Sequence, residues 1–144
     1  MAMFKLDLRK KMLRNICSIA AAIILLVSCK QKVNVTADQL YGRWNYVKVE
    51  NPFAHPPDSV KSDELKVQKP YILFSKDSLQ MWWGGGLLSR GSYKVSGDSV
   101  QYKEILPGGK TRVFPFIVSK LTDKDIVFET TGEDGSLVTA VKSK

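Results

Sequence analysis

From residue 41 onward, apolar and polar side chains alternate with a period of two, the pattern of half-buried strands rather than of helices. Residues 43–50, 71–74, 79–83, 91–95, 99–103, 113–120, 125–131 and 136–141 read as eight strands. Polar or glycine-bearing segments at 75–78, 96–98, 107–109, 121–124 and 132–135 separate most of them and suit tight turns. Short turns pair consecutive strands antiparallel, and closing such a meander on itself removes both exposed edges. The expected fold is therefore all-β, an eight-stranded antiparallel up-and-down barrel. A short N-terminal helical turn precedes it at residues 36–40, where Thr36 can cap free amides and Gln39 stands at the capping-box position. Residues 51–69 carry Pro52, Pro56 and Pro57 with several charges and read as a long loop without a sheet element.

A different pattern marks the beginning of the chain. Five bases (Lys5, Arg9, Lys10, Lys11, Arg14) stand against one acid, Asp7, and an apolar run of twelve residues follows at 16–27. That is the layout of a secretory signal. As a helix the run is about 18 Å long, short of a hydrocarbon core of about 30 Å, so cleavage is expected rather than a membrane span.

Removing that leader changes the charge. Of 22 Lys and Arg and 14 Asp and Glu, 17 and 13 remain, so a net +8 falls to +4. The remaining bases are scattered singly rather than grouped along a phosphate-tracking stripe, and no nucleic-acid partner is expected. A remainder of 116 residues is one domain's length.

Leu26-Val27-Ser28-Cys29, followed by Lys30-Gln31-Lys32, resembles the lipobox of bacterial lipoproteins. The resemblance implies cleavage before Cys29 and a diacylglyceryl group on it, so the membrane is an expected partner through a lipid anchor. It divides the chain into a signal peptide at 1–28, a lipidated Cys and tether at 29–35, and a domain at 36–144. Cys17 falls in the leader and Cys29 is consumed by acylation, so no disulfide is expected. No Asp follows Cys29, and the acidic residues that direct Bacteroidetes lipoproteins to the cell surface are missing from Lys30-Gln31-Lys32. The expected location is the outer membrane of the cell envelope, facing the periplasm.

Leu40-Tyr41-Gly42-Arg43-Trp44, a helical turn leading into a Gly-x-Trp strand start, resembles the opening of the lipocalin and calycin group. The run from Ile72 to Asp77, then Gly91 to Val95 and Asp98-Ser99-Val100, is similar to the small lipocalin-like domains of Bacteroidetes lipoproteins. The resemblance implies that Trp44 plugs the closed end of a barrel beneath a basic side chain from the last strand. Lys142 is the nearest candidate for that base, where an Arg is usual. The resemblance also implies a calyx for a small apolar ligand. Within it, the two-residue period directs Trp44, Tyr46, Phe74, Met81, Trp83, Tyr93, Tyr102, Phe114, Phe116 and Phe128 inward, with Ile72, Val95, Val100 and Ile126 between them. These side chains would line a ligand cavity or fill a solid core, since eight strands enclose just enough room for side chains.

Three local features bear on function. The long loop at 51–69 occupies the place of the lid in lipocalins. In Trp82-Trp83-Gly84-Gly85-Gly86-Leu87-Leu88 only one indole can face inward, which leaves Trp82, Leu87 and Leu88 as a candidate patch for a partner or the bilayer. His55, the single His, has no partner at metal-ligand spacing, so no metal site is expected. Asp-Ser-aliphatic triplets begin at Asp58, Asp77 and Asp98, and they are similar to O-glycosylation sites of Bacteroidetes envelope proteins. After the leader there is no Cys nucleophile, Gly-x-Ser-x-Gly, phosphate loop or Cys-x-x-Cys. The expected function is a non-catalytic, membrane-anchored module that binds a small hydrophobic ligand, without a cofactor. The alternative is a filled barrel that engages or inhibits another envelope protein.

Overall fold

The computed structural model describes residues 32–131 and 135–144; the leader, Cys29 and most of the turn read at 132–135 lie outside them. The described chain runs α1 (Ala37–Leu40), β1 (Gly42–Asn51), β2 (Asp58–Ser59), α2 (Ser62–Gln68), β3 (Tyr71–Phe74), β4 (Ser78–Trp83), β5 (Gly86–Ser96), β6 (Ser99–Ile105), β7 (Thr111–Leu121), β8 (Asp125–Thr130) and β9 (Leu137–Lys142). Each of β3 to β8 pairs antiparallel with the next, β1 pairs with β3, and β1 also pairs with β9. The result is a closed eight-stranded up-and-down barrel, with two-residue β2 added alongside the end of β1.

The register brings the inward residues opposite one another: Trp44 faces Ile72, Tyr93 faces Tyr102, Tyr102 faces Phe114, and Phe128 faces Val138. Trp44, Ile72, Phe74, Tyr93, Val100, Tyr102, Phe116, Ile126 and Phe128 are buried in one core, and Tyr46, Met81, Trp83, Val95 and Phe114 pack against it half-buried.

One end of the barrel is closed by the start of the domain. Trp44 Nε1 donates to the Leu40 carbonyl at 2.8 Å, and Lys142 Nζ lies 4.9 Å from the Trp44 ring centroid, so the basic lid over the Trp is a lysine. Gly42, at φ +111°, lets the Lys142 stem pass within 3.4 Å of where a Cβ would stand. The Thr36 amide donates to Gln39 Oε1 at 2.9 Å in the expected capping box. Val33 and Val35, in the segment expected to be tether, instead pack on the core, and the Val35 amide donates to the Gly97 carbonyl at 2.8 Å.

Two further expectations are corrected. Residues 51–69 are not an unstructured loop: they contain β2 and the two-turn helix α2. Asp63 and Glu64 occupy the first turn of α2 and Lys66 the last, which suits the helix dipole, and Lys69 terminates it in the left-handed conformation with its amide bonded to the Leu65 carbonyl. The second concerns the strand expected at 91–95. Gly84 and Gly85, both at positive φ, make a two-residue hairpin turn, and β5 starts at Gly86, five residues before the expected start.

Candidate functional site at the open end of the barrel

The open end is formed by the end of β4, the start of β5, the end of β6, the start of β7 and the end of β8. A basin of about 690 Å³ lies there, lined by Met81, Phe114 and Phe116 on its apolar side, by Ser89, Glu104 and Arg112 on its polar side, and by Leu88 and Val113 at its rim. The early start of β5 is what brings Ser89 into the barrel. A register shift after Met81 pairs it with Ser89 and Trp82 with Leu87, leaving Leu88 as the extra residue of a bulge.

The polar side is a connected chain of hydrogen bonds. Ser89 Oγ lies 2.6 Å from Glu104 Oε1 and 2.7 Å from Tyr102 Oη, and Arg112 Nε donates to Glu104 Oε2. A carboxylate only accepts, so the Ser89 proton goes to Glu104 and the Tyr102 hydroxyl donates to Ser89. Both Ser89 and Glu104 are buried, and the three partners satisfy them inside the wall. Burial holds the Tyr102 phenol above its ordinary pKa; Glu104 adds to the shift, while the Ser89 hydrogen bond and Arg112 oppose it. Neither Ser89 nor Glu104 belongs to the set expected from the sequence. Their inward places follow from alternation with Tyr93 and Tyr102, but polar residues there break the apolar signal.

Below the basin aromatic rings pack against one another. Tyr46 meets Phe128 edge-on at 6.1 Å, Phe128 meets Phe116 at 5.5 Å, and Phe116, Tyr102 and Phe114 form a triangle with centroids 5.4 to 5.5 Å apart. Phe74 and Tyr93 meet edge-on at 5.3 Å, with the Tyr93 hydroxyl donating to the Ser75 carbonyl at 2.8 Å. Of the ten aromatic and Met residues directed inward by the sequence, the structure thus brings Met81, Phe114 and Phe116 to the basin, and sets Trp44, Phe74 and Tyr93 in packed core.

Similarity to known proteins is confined to structure. No family model matches the sequence, and no curated protein matches it. Among solved structures the chain is similar to an uncharacterized protein from Bacteroides eggerthii at 19% identity and a TM-score of 0.48, covering 71% of this chain and 98% of that one. It is also similar to a lipocalin-like protein from Bacteroides uniformis at 18% identity and a TM-score of 0.48, covering 71% and 97%. The barrel itself stands on its own strand pairing, and eight strands enclose room that side chains fill or that holds one small ligand.

The candidate surface patch divides in two. Trp82 stacks on Tyr71 with centroids 5.8 Å apart, donates to Gln80 Oε1 at 3.1 Å, and pairs with Leu87 across β4 and β5. Leu88, 67% exposed, belongs to the basin rim with Val113, 61% exposed. His55 is exposed, as are Ser59 and Ser78 of the Asp-Ser triplets, whereas Ser99 is half-buried.

Proposed function

We propose that the protein is a non-catalytic binding module of the bacterial cell envelope, anchored by a lipid on Cys29 at the periplasmic face of the outer membrane, with a small amphipathic ligand seated in the basin. The observation that carries this reading is the basin's split lining: Met81, Phe114 and Phe116 offer apolar contact beside the Ser89–Glu104–Arg112 chain. Preformed pockets of about 300–1,000 Å³ with a few convergent polar groups are typical of small-molecule sites. The packed aromatic interior favours a ligand held at the mouth over one swallowed into a deep apolar calyx.

Native mass spectrometry of the protein purified from its own host tests the binding. A bound mass that is lost on Phe114→Trp, which fills the basin, is expected; a ligand-free spectrum with no uptake from host lipid extracts would overturn it. Metabolic labelling with palmitate tests the anchor, with label expected on the wild type and absent from Cys29→Ser. Protease shaving of intact cells that removes the domain would contradict the periplasmic orientation.

A second reading, an interaction module, draws on the rim. Leu88 and Val113 are exposed at the rim of a barrel whose interior is packed with aromatic side chains. In that case Leu88→Lys abolishes cross-linking to an envelope protein and leaves any bound small molecule in place.

A further inference from the structure

The barrel wall is incomplete on one side. β3 has only four residues and pairs with Gly42 to Asn45, while β1 continues to Asn51. Beyond Asn45 that edge of β1 is met by the Pro70 carbonyl, which accepts from the Tyr46 amide at 3.0 Å, and by the Val60 amide, which donates to the Val49 carbonyl at 2.9 Å. Helix α2 lies against the gap, with Leu65 buried in the core. A cleft of about 450 Å³ remains between α2 and β1. Its walls are Tyr46, Val47, Leu65 and Pro70, and its charged lining residues are Arg43, Lys66 and Lys69, with no carboxylate among the lining. Tyr46 also packs on Phe128 inside the barrel, so the cleft bottoms on the interior aromatic chain.

The cations are placed to receive an acid. Arg43 is held with its guanidinium carbon 3.7 Å from the Tyr71 ring centroid and with Nε on Asn45 Oδ1 at 2.8 Å, which leaves its terminal nitrogens for a second acceptor. Lys66 is tied to Asp63 at 3.1 Å on the exposed face of α2, and Lys69 is in no ion pair among the described residues. An apolar floor beside two cations, Arg43 and Lys69, with the paired Lys66 next to them, matches an occupant of one chemistry.

We propose that this side cleft, separate from the mouth basin, binds a small amphipathic carboxylate, its apolar body on Val47, Leu65 and Pro70 and its acid group on Arg43 and Lys69. The full chain in nanodiscs of zwitterionic lipid, with empty nanodiscs as blank, is titrated with 2-naphthoate and with uncharged 2-naphthylmethanol by ligand-observed NMR. Saturable binding is expected, with the acid about tenfold tighter than the alcohol or more. The double variant Lys66→Gln/Lys69→Asn removes two charges while Asn keeps the left-handed cap, and is expected to weaken the acid severalfold. Val47→Glu, at an exposed cleft position, is expected to abolish binding, and Leu88→Glu at the mouth to leave it unchanged. Absence of saturable binding, equal affinity for acid and alcohol, or loss on Leu88→Glu with retention on Val47→Glu would each overturn the proposal. Circular dichroism confirms that each variant is folded, and the lysine variant alone decides if Val47→Glu is not.

Discussion

Gly91 and Tyr102 are fitted to each other: a Cβ on Gly91 would stand 2.9 Å from Tyr102 Cε2 and inside contact distance of the Lys103 carbonyl. The absence of a side chain at Gly91 lets the Tyr102 ring pass close to β5, with its hydroxyl reaching Ser89 two residues up the strand. Gly91→Ala forces backbone or ring to move. Overpacking of this kind costs about 1–3 kcal/mol, and the backbone contact puts this case at the upper end. Urea unfolding followed by tryptophan fluorescence measures it; a loss below about 0.5 kcal/mol would show that the strand yields freely.

The buried chain at the mouth is coupled. Ser89→Ala leaves the Tyr102 hydroxyl without its acceptor and removes one of the donors to Glu104, an expected cost of about 1–3 kcal/mol. Tyr102→Phe in the Ser89→Ala background then costs less than Tyr102→Phe alone. A double-mutant cycle is expected to give a coupling of about 0.5–3 kcal/mol, and additivity would disprove the link.

At the closed end, Lys142→Met removes the cation over Trp44 and is expected to cost about 0.5–1 kcal/mol, with Lys142→Arg restoring it. Trp44→Phe leaves the buried Leu40 carbonyl without its donor and is expected to cost more, about 1–3 kcal/mol from that bond alone. Thermal melts that rank Lys142→Met as the worse of the two would refute this division.

Stability is expected to fall at high pH. Burial pushes the Tyr93 phenol up to about 12 from an ordinary value near 10, with Tyr41, Asp77 and Asp38 adding to it, and burial raises Tyr46 and Tyr102 in the same direction. A raised pKa means that the folded chain holds protons that the unfolded chain releases. The stabilisation is complete below pH 10 and is lost as pH rises toward 12. Unfolding free energy measured across that window should decline, and more shallowly in Tyr93→Phe.

The strands were legible because turn chemistry and the two-residue period agree over most of the chain, and β3, with four residues, appears at its expected bounds. Helix α2 was hidden because Leu65 alone is buried among its seven residues, too few to show a 3.6-residue stripe. Its acidic first turn, Asp63 and Glu64, is the one local signal of a helix start. The mouth was hidden for a related reason. Ser89 lies in a segment whose glycines suggest a flexible stretch, and Glu104 stands one residue past the expected end of its strand. A polar pair facing inward can be found only once the register is known.

The bond between Val35 and Gly97 has a mechanical consequence. The chain enters the barrel at the end sealed by Trp44 and Leu40, where Val35 is buried and its amide is hydrogen-bonded. Tension arriving along the preceding residues is taken up there, by one backbone bond and two packed valines, at the end away from Ser89 and Glu104. A force applied to the chain at Lys32 would therefore strain the base of the cup and leave its lip unloaded.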